Sequence, residues 1–575
     1  MNIFEIYKKK IQDLVSVNYK NLNIDPNINF EGVVIEVPPQ KFNFDLSSNI
    51  ALVLAKRNKQ SPVKLANLIK DTLLRDVNDF SEVAIAGPGF INFRFNSKTY
   101  QKLILDILSS NNKYGSSSGS KKKYNIEFVS ANPTGPMHIG HSRGAIYGDV
   151  LANLLKFNGH NVIKEYYIND YGNQITNFTK SVFFRLREIR FKEKFVNKEN
   201  LYPGEYVVDI AKKILIDIPK IDLTNFEKVF PTLSEISLKY SMILIKDDLK
   251  SLGICHDNFV SEKSLVEKDL VTKTIKYLQE KSFVEKGYLD RPKGEEAKNW
   301  KKTKRLIFKS TLFGDDTDRA LQKNDGTWTY FANDIAYHAD KVSRDYDYLI
   351  NILGADHTGY IKRITAATSA LSNDKISLIC RVCQLVKLFK NGQPYKMSKR
   401  AGDFISVKEF LNEVDKDSVR FMMLNRSNDV EIDFDFDKVL EKTRENPVFY
   451  VQYSYARISS LFRILNIDAN KTFLINENNF ELNSHELNLF RKILDWPKVV
   501  ETASVKFEPH RIPFYLYELA TLFHSYWSKG NEDSNYKFII DGKIKNSNTL
   551  LIIKLVAITI ENGMRILGVS LPSKM

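Results

Sequence analysis

The stretch 124–168, YNIEFVSANPTGPMHIGHSRGAIYGDVLANLLKFNGHNVIKEYYI, predicts the fold at the centre of the chain. Residues 124–129 form a short, mostly apolar run typical of a strand, and residues 132–136, NPTGP, follow as a turn. A helix is expected from about residue 139 to 157, and residues 161–168 return as a strand. Strand, helix and strand in this order form the βαβ unit of a parallel, doubly wound sheet.

The same pattern resumes about 180 residues later. A strand is predicted over 348–353, a helix over 361–371 and a strand over 376–380. A hairpin follows, and Asn391-Gly392 predicts a type I′ turn at its tip. The fold class is therefore predicted as α/β, with a Rossmann-type doubly wound parallel sheet in the central domain.

Composition changes along the chain predict three domains. Residues 1–112 combine helical and strand patterns and are expected to form an α+β module. Residues 115–120, GSSSGS, read as a flexible linker, and the central domain is predicted over 113–438. Within it, a charged, mostly helical stretch at about 178–318 is expected to be an insertion. Residues 439–575 show helical periodicity throughout and predict an all-α helix bundle.

The composition is that of a globular protein that works in a reducing compartment. The 575 residues include 43% hydrophobic and 27% charged side chains and only three cysteines. No signal peptide and no membrane span are expected, which predicts a cytoplasmic protein. The formal net charge of +15 fits a polyanionic partner, although a generally lysine-rich composition explains it equally well.

Cys380 and Cys383 form an isolated CxxC pair. A structural zinc site needs about four ligands, and Cys255-His256 lies far away in sequence. Buried strand cysteines are the simpler interpretation, and no metal held by the protein is predicted.

The segment His138-Ile139-Gly140-His141 stands at the predicted junction of strand and helix. A helix N-terminus offers free backbone N–H groups and the positive end of the helix dipole, both of which favour phosphate. His138 and His141 fall on the first turn and can face one ligand, with imidazoles able to donate to phosphate oxygens. Gly140 has no Cβ to hold a base or ribose away from the helix. A pair of capping histidines is the alternative interpretation.

A second motif, Lys396-Met397-Ser398-Lys399-Arg400, begins 258 positions after His138 (396 − 138). Its lysines carry fixed charge on a loop that can close over a triphosphate, and Ser398 adds a hydroxyl. Together the two motifs predict an ATP site for attack of a carboxylate on the α-phosphate. The predicted catalytic residues are His138, His141, Lys396 and Lys399, and the predicted ATP site also includes Gly140, Met397 and Ser398.

With both motifs present, the chain resembles the class I aminoacyl-tRNA synthetases, and most of all the bacterial-type arginyl-tRNA synthetases. In the N-terminal module, DLSSN lacks the His-Gly pair that often precedes its Asp in that family. The further stretches that carry the resemblance are residues 45–49 (DLSSN), 86–93 (AGPGFINF), 127–133 (EFVSANP), 167–172 (YINDYG), 354–357 (GADH), 417–421 (DSVRF) and 446–453 (NPVFYVQY).

The resemblance implies that the chain activates arginine with ATP and transfers it to the 2′-hydroxyl of the terminal adenosine of tRNA(Arg). It implies an arginine site made of Glu127, Asn132, Tyr330 and Asp334, with Asp334 facing the guanidinium. ATP would enter with Mg²⁺, and activation in this family typically needs bound tRNA. The central domain would be catalytic, and a monomer is expected.

The resemblance also implies that the N-terminal module binds the tRNA elbow and that the C-terminal bundle binds the anticodon side. Tyr450, Tyr453 and Arg457, at helical spacing, are candidate tRNA contacts because aromatic and arginine side chains stack on single-stranded bases. The same residue types also suit an ordinary core and its solvated face.

Three other interpretations stay open at this point. Another class I synthetase, above all one for lysine, would also need an acidic pocket. A small-molecule nucleotidyltransferase could use the same HxGH segment, but it would not need the basic helical C-terminus. A non-catalytic RNA-binding paralogue would not need both motifs intact.

Overall fold

The structure is a computed structural model that describes residues 2–117, 119–289, 303–395, 405–468 and 480–575. The chain forms two compact units. The first unit comprises Met1–Ser118, Lys442–Phe507 and Arg511–Met575, and the second comprises Gly119–Glu441 and Glu508–His510. Among the described residues, no helix has the length and apolarity needed to cross a bilayer.

The N-terminal part of the first unit is an antiparallel sheet with helices, as predicted for an α+β module. Ser61 caps its third helix by accepting a hydrogen bond from the Lys64 amide, and Pro62 opens that helix, as the sequence predicts. The sheet order is β1-β2-β4-β3. The elements are α1 (Ile3–Val17), β1 (Ile35–Glu36), β2 (Leu46–Ser48), α2 (Ile50–Asn58), α3 (Pro62–Asp76), β3 (Phe80–Ala86), β4 (Phe90–Phe95) and α4 (Ser97–Ser110).

The second unit carries a parallel sheet with helices on both faces. Its elements are β5 (Lys123–Glu127), α5 (Ile139–Phe157), β6 (Asn161–Ile168), α6 (Asn173–Phe191), α7 (Glu205–Asp217), α8 (Phe226–Ser251), β7 (Asn258–Ser261), α9 (Glu262–Glu267), α10 (Leu270–Glu280), β8 (Val284–Gly287), β9 (Arg305–Phe308), β10 (Arg319–Ala320), α11 (Tyr330–Val342), β11 (Tyr348–Gly354), α12 (Ile361–Ser372), β12 (Ser377–Cys383), β13 (Val386–Lys390), β14 (Gln393–Pro394), α13 (Val407–Glu413), α14 (Lys416–Met422), β15 (Ile432–Asp435) and α15 (Phe436–Leu440).

The main sheet has the order β12-β11-β5-β6-β7, and every neighbouring pair is parallel. When its five strands are numbered in chain order and the sheet is read from β7 to β12, the order is 3-2-1-4-5. The order therefore reverses between β5 and β11. Open α/β sheets bind ligands at such a reversal, beyond the carboxyl ends of the strands. The predicted Rossmann-type sheet is therefore confirmed, and the segment that follows β5 lies at the binding crevice.

One strand of this sheet lies where the sequence predicts an insertion. β7 falls within the stretch 178–318 and pairs with β6 from Glu165–Asn258 to Ile168–Ser261. The prediction of a mostly helical insertion therefore missed a structural strand of the main sheet. The four residues of β7 are only partly buried and do not form the apolar run that marks a central strand.

The predicted hairpin after β12 is present. β13 and β14 pair at Lys390–Gln393, and Asn391 and Gly392 between them have φ of 53° and 68°. Positive φ at both positions is the signature of a type I′ turn, which confirms the turn expected from Asn-Gly. The residues 396–404 that follow this hairpin, including the second motif, lie outside the described residues.

The C-terminal part of the first unit is a helix bundle. It contains one departure from the predicted all-α bundle, a small hairpin formed by two strands before the last helix. The last helix is almost wholly buried, and Lys554 is only 8% exposed. The elements are α16 (Pro447–Ile464), α17 (Ser484–Lys506), α18 (Arg511–Glu532), β16 (Ile539–Ile540), β17 (Lys543–Ile544) and α19 (Ser547–Leu567).

The N-terminal module and the bundle, predicted as separate domains, share one compact unit. Asp45 and Arg491 form a buried ion pair with 2.7 Å between Oδ1 and Nε. The Trp496 indole donates to the Tyr114 carbonyl at 3.0 Å, and the Tyr114 hydroxyl donates to the Ile493 carbonyl at 2.8 Å. Breaking one partner of a buried ion pair is costly, so these contacts hold the two parts together.

A substitution at Gly115 tests this packing. Gly115 has φ of 97°, and a Cβ added there would lie 2.2 Å from Trp496 Nε1. Gly115→Ala should lower the free energy of unfolding by about 3 kcal/mol, because backbone strain adds to the displacement of the indole. Thermal unfolding followed by tryptophan fluorescence measures the change.

The matched control is Gly32→Ala, since Gly32 has φ of 83° but nothing within 4 Å of the added Cβ. It isolates the backbone cost, about 1 kcal/mol. Equal drops in Tm for the two variants would contradict the close packing of Gly115 on Trp496.

Candidate active site

His138 and His141 cap the N-terminus of α5. The His138 ring accepts from the Gly140 amide at its Nδ1, 3.1 Å away, while the His138 amide donates to Nδ1 of His141 at 3.3 Å. The two rings lie 3.8 Å apart between centroids. A Cβ on Gly140 would lie 2.9 Å from the His138 ring, so glycine is needed here for the cap itself. The sequence analysis attributed this glycine to space for the nucleotide.

The capping bonds determine how these histidines are protonated. Burial lowers the pKa of His138, and burial together with the neighbouring His138 lowers the pKa of His141 to about 4. Both rings are therefore neutral near pH 7. Because each Nδ1 accepts a hydrogen bond, each ring carries its proton on Nε2. The Nε2–H groups are then donors without charge, suited to phosphate oxygens.

The chain that follows the second motif pairs directly with the first motif. The Ile139 amide donates to the Ile405 carbonyl at 3.0 Å, and the Val407 amide donates to the Met137 carbonyl at 3.0 Å. Lys399, outside the described residues, precedes Ile405 by six positions (405 − 399).

Two further buried contacts anchor α5 and the segment before it. The Met137 amide donates to Asp248 on α8 at 2.8 Å, and burial raises the pKa of Asp248 to about 6. Asp149 on α5 accepts from Lys164 at 2.6 Å and from Arg420 on α14 at 2.5 Å. The helix that carries the histidines is therefore fixed to three other elements of the second unit.

Three carboxylates, those of Glu127, Glu262 and Asp334, interact electrostatically, and the group is named here the carboxylate pocket. Asp334 accepts from the Tyr360 hydroxyl, and Glu262 accepts from the Asn333 amide at 3.0 Å. Within the described ranges neither Asp334 nor Glu262 has an ion-pair partner. Burial raises the pKa of Asp334 to about 7, and the charges of Glu262 and Glu127 add to the effect.

Glu262 shares this environment. Burial raises its pKa as well, despite the hydrogen bond from Asn333. Tyr167 lies close to both acids, stacked on Tyr337 at 4.3 Å, and its hydroxyl is buried with no partner among the described residues. Buried acids without a cation favour a positively charged ligand.

Glu127 differs from the other two acids because a lysine neutralises it. Its Oε2 accepts from Lys341 at 2.5 Å, and its Oε1 accepts from the Ser130 hydroxyl at 3.1 Å. Val129 and Ser130 have φ of 70° and 42°, in the left-handed region that β-branched residues rarely adopt. This strained turn directs Ser130 back towards Glu127.

The structure brings some of the predicted arginine-site residues together. Glu127 and Asp334 belong to one pocket and interact electrostatically. Tyr330 begins the helix that carries Asp334 and is 72% exposed, with the Lys323 ammonium 5.6 Å from its ring centre. Asn132 is exposed in the turn after β5. These four assignments remain predictions, because no ligand is present.

Sequence analysis missed Glu262, Tyr167 and Tyr360 as parts of this pocket. Tyr167 stands in the YINDYG stretch that carries the family resemblance, but that stretch was given no role in the pocket. Glu262 follows β7 immediately, in the stretch interpreted as an insertion. Recognising β7 as a strand of the main sheet would have placed Glu262 at the binding crevice.

An open cavity of about 1230 Å³ adjoins the carboxylate pocket in the second unit. Asn333, which binds Glu262, lines it, together with Asp170, Tyr171 and Trp328. Its size exceeds that of an amino acid, which leaves room for a larger substrate beside the pocket.

Another cavity, of about 750 Å³, lies in the helix bundle and is named here the aromatic cavity. The Arg457 guanidinium lies 4.3 Å from the Tyr453 ring centre and 5.2 Å from that of Trp527. Arg457 also contacts His524 Nδ1 at 3.0 Å, and Tyr450 stacks on His524 at 4.2 Å. The residues that define it are Tyr453, Arg457, Trp527, Tyr536 and Phe538.

The cysteines and acids do not form a metal centre in the part of the chain that the structure describes, which holds no suitable group of three or more His, Cys, Asp or Glu. Cys380 and Cys383 both lie on β12, and burial raises their pKa values to about 11 and 12. Three positions apart on a strand, they point to opposite faces.

Family comparisons match three segments of the chain. Residues 5–95 match the arginyl tRNA synthetase N terminal domain, and residues 103–202 match the catalytic domain of tRNA synthetases class I (R). Residues 451–575 match the DALR anticodon binding domain. The matches follow the same order as the three predicted domains.

Two curated relatives match over essentially the whole chain. An arginine–tRNA ligase of Pelagibacter ubique is 50% identical over 577 residues, with 100% of both chains covered. One of Ruegeria pomeroyi is 42% identical over 579 residues, with 99% of each covered. The Thermus thermophilus arginyl-tRNA synthetase structure has a TM-score of 0.70 and covers 99% of this chain and 100% of that chain. At 20% identity it shows likeness of fold.

The unpaired charge of Asp334 generates a prediction for the free protein. Its folded-state pKa, about 7, lies above the ordinary aspartate value of 3.8, so the folded state holds its proton more tightly. This group therefore destabilises the fold increasingly as pH rises from about 4 to 7, and constantly above that. Asp334→Asn should raise the free energy of unfolding by about 2 kcal/mol at pH 8.

The gain should fade as the pH of the unfolding experiment is lowered towards 4. Asp340→Asn serves as a control, because Asp340 on the same helix pairs with Arg344 at 3.1 Å. A gain from Asp334→Asn that stayed the same at pH 4 and pH 8 would contradict the electrostatic explanation.

Proposed function

Because the chain belongs to the class I arginyl-tRNA synthetase family, we propose that the sites described above select and join the substrates of an arginine–tRNA ligase. Its reaction couples arginine to tRNA at the expense of ATP. The observation that carries the assignment of the amino-acid site is a pair of acids, half-buried Asp334 and buried Glu262, with no ion-pair partner among the described residues.

The substrate's guanidinium binds between Asp334 and Glu262 in this proposal. A guanidinium is planar, permanently charged and rich in donors, so it matches carboxylates in fork geometry. Binding it brings the charge that the pocket lacks and returns the pKa of Asp334 towards its ordinary range. A neutral side chain of the same size would leave both acids unpaired, so the pocket rejects it without an editing domain.

The other end of the amino acid lies towards β5. Glu127 accepts from the substrate's α-ammonium, and Asn132 and Tyr330 contact the remainder of the amino acid. Asn132 and Tyr330 are both exposed, so they are accessible to a ligand that enters from solvent.

The ATP phosphates lie at the N-terminus of α5, where Nε2–H of His138 and His141 and the helix dipole meet them. Gly140 opens the start of the helix. A carboxylate oxygen of arginine attacks the α-phosphorus, the bond to the bridging oxygen of the β-phosphate breaks, and pyrophosphate leaves. Lys396 and Lys399 stabilise the charge on the departing phosphates, and Met397 and Ser398 complete the loop.

In the second step the 2′-hydroxyl of the terminal adenosine attacks the carbonyl carbon of arginyl-adenylate. AMP leaves with the electrons of the mixed anhydride bond, and an ester links arginine to tRNA. The cavity of about 1230 Å³ beside the carboxylate pocket has room for the end of the tRNA.

The domain limits 1–112, 113–438 and 439–575 serve as the proposed division into an elbow-binding module, a catalytic domain and an anticodon-binding bundle. The family matches at residues 5–95 and 451–575 support the two outer assignments. The aromatic cavity offers stacking faces beside a guanidinium, which suits unstacked anticodon bases. Tyr450, Tyr453 and Arg457 are the proposed contacts there.

Mg²⁺ enters as a complex with ATP, and the triphosphate oxygens rather than a protein cage hold it in this proposal. It supplies charge neutralisation on the phosphates. We also propose that the enzyme works as a monomer in the cytoplasm. The lysine-specific alternative loses support because the full-length relatives act on arginine by name.

Arginine-dependent pyrophosphate exchange tests the assignment. The wild-type protein should exchange with arginine in the presence of tRNA. Glu262→Gln should raise KM for arginine about 100-fold or more and leave KM for ATP nearly unchanged, because it removes one half of the guanidinium clamp.

Glu267→Gln is the matched control, since Glu267 is an exposed acid on the same helix, α9. It should behave as wild type. Exchange with lysine but not arginine would overturn the proposed function. Equal changes in KM for arginine and ATP would contradict the placement of the guanidinium between Asp334 and Glu262.

The aromatic cavity gives a separate prediction for tRNA. Trp527→Ala should raise KM for tRNA in aminoacylation about 10- to 100-fold with little change in KM for arginine, because stacking on a base is lost. Phe514→Ala, which removes an exposed aromatic ring elsewhere on α18, is the control. If both variants weaken tRNA equally, or neither does, the cavity is not the base-binding site.

A further inference from the structure

We propose that Lys341 is a positioning residue that holds Glu127 for the α-ammonium of arginine and makes the carboxylate pocket electrostatically asymmetric. The proposal rests on the function proposed above and adds a residue that neither motif contains.

Lys341 is wholly buried on α11, and its ammonium has three directed contacts. It donates to Glu127 Oε2 at 2.5 Å and to Asn351 Oδ1 at 3.0 Å. It also lies 4.5 Å from the ring centre of Tyr337. An ammonium has three donors, and two acceptors and an aromatic face use them here, so the group has one orientation.

The same contacts fix Glu127. Lys341 holds one carboxylate oxygen, and the Ser130 hydroxyl holds the other at 3.1 Å. Ser130 itself is anchored, because its oxygen accepts from the Tyr167 amide at 3.1 Å. A carboxylate accepts about four hydrogen bonds, so Glu127 keeps free lone pairs, in a defined direction, for a substrate ammonium.

Charge is distributed unevenly along the pocket as a result. At one end Glu127 forms an ion pair with Lys341, and at the other Asp334 and Glu262 have no ion-pair partner in the described ranges. Arginine is cationic at both ends, so two acidic ends of equal strength would allow it to bind in reverse. Lys341 removes this ambiguity, because the permanently charged guanidinium is drawn to the uncompensated acids.

Helix α11 carries both Asp334 and Lys341, so it positions both ends of the pocket. Lys341 follows Asp334 by seven positions on α11 (341 − 334), a rise of about 10 Å along the axis. That is close to two turns, so both side chains leave the same face of the helix. The separation matches an amino acid with a long side chain, whose α-ammonium and guanidinium are held at the two places.

The test compares Lys341→Met with wild type in arginine-dependent pyrophosphate exchange. The variant should raise KM for arginine about 30-fold, within the range for losing a residue that orients a ligand group, and should change KM for ATP less than about 3-fold. Lys341→Arg, which keeps the charge, should recover most of the loss.

A pH series separates positioning from a merely structural role. Lys341 lowers the pKa of Asp334, which burial raises to about 7, so without Lys341 that acid keeps its proton to higher pH and pairs with the guanidinium only at higher pH. The ratio of KM for arginine in Lys341→Met to that in wild type should therefore fall as pH rises from 6 to 9. The titratable or charged groups that face Glu127 or Lys341 are Asp334, His338 and Tyr337 on α11, Glu165 and Tyr167 on β6, and Cys380 on β12.

Two further variants keep the test decisive if Lys341→Met folds poorly. Glu127→Gln/Lys341→Met removes both charges, so it should fold, and its KM ratio should stay high without a pH trend. Lys164→Met removes another buried lysine of the second unit, bonded to Asp149 at 2.6 Å, and should cost stability without a selective rise in KM for arginine.

An unchanged KM for arginine in Lys341→Met, or equal rises for arginine and ATP with no pH trend, would overturn the proposal. Exchange by the wild-type protein with arginine, together with such a result, would leave the proposed function standing. Absence of arginine-dependent exchange in wild type would instead remove the proposed function.

Discussion

The backbone pairing between residues 137–139 and 405–407 is the contact on which the active site depends. Two amide–carbonyl bonds of 3.0 Å join the start of α5 to the chain that follows the second motif. Because both are main-chain hydrogen bonds, they do not depend on the identity of the surrounding side chains. Two segments that are 268 positions apart in sequence (405 − 137) therefore lie side by side, at the point where the order of the parallel sheet reverses.

The acids of the carboxylate pocket lower the stability of the free protein but suit the recognition of a cationic ligand. A fold gains nothing from holding Asp334 and Glu262 away from solvent without an ion-pair partner, and the pKa of Asp334, which burial raises to about 7, reflects that cost in the free protein. The buried ion pairs of Asp149 and Asp45 show that the same chain neutralises acids where no ligand is expected. Two acids without an ion-pair partner beside one neutralised acid are the feature that distinguishes the proposed guanidinium site from ordinary buried charge.

Local patterns predicted much of the fold. α5 and β6 have the predicted limits, and the Asn391-Gly392 turn has the predicted conformation, because each depends on neighbouring residues only. β7 was missed because its four half-buried residues show no hydrophobic periodicity in the sequence. Its omission hid Glu262. Lys341 could not have been predicted as a partner of Glu127, since a contact across 214 positions leaves no local signal in one sequence.

The neutral state of the two histidines limits what they contribute to the proposed ATP site. Burial keeps His138 and His141 uncharged near pH 7, and their Nδ1 atoms are used in capping, so each supplies one Nε2–H donor and no net charge. Such donors orient a phosphate but do little to neutralise the charge that develops as pyrophosphate leaves. That charge needs cations, which the lysines of the second motif and the Mg²⁺ that accompanies ATP provide in the proposed mechanism. In the proposed mechanism, orientation of the phosphates therefore belongs to the start of α5, and charge neutralisation belongs to the lysines of the second motif and to Mg²⁺. Neither motif alone would suffice for catalysis in this mechanism.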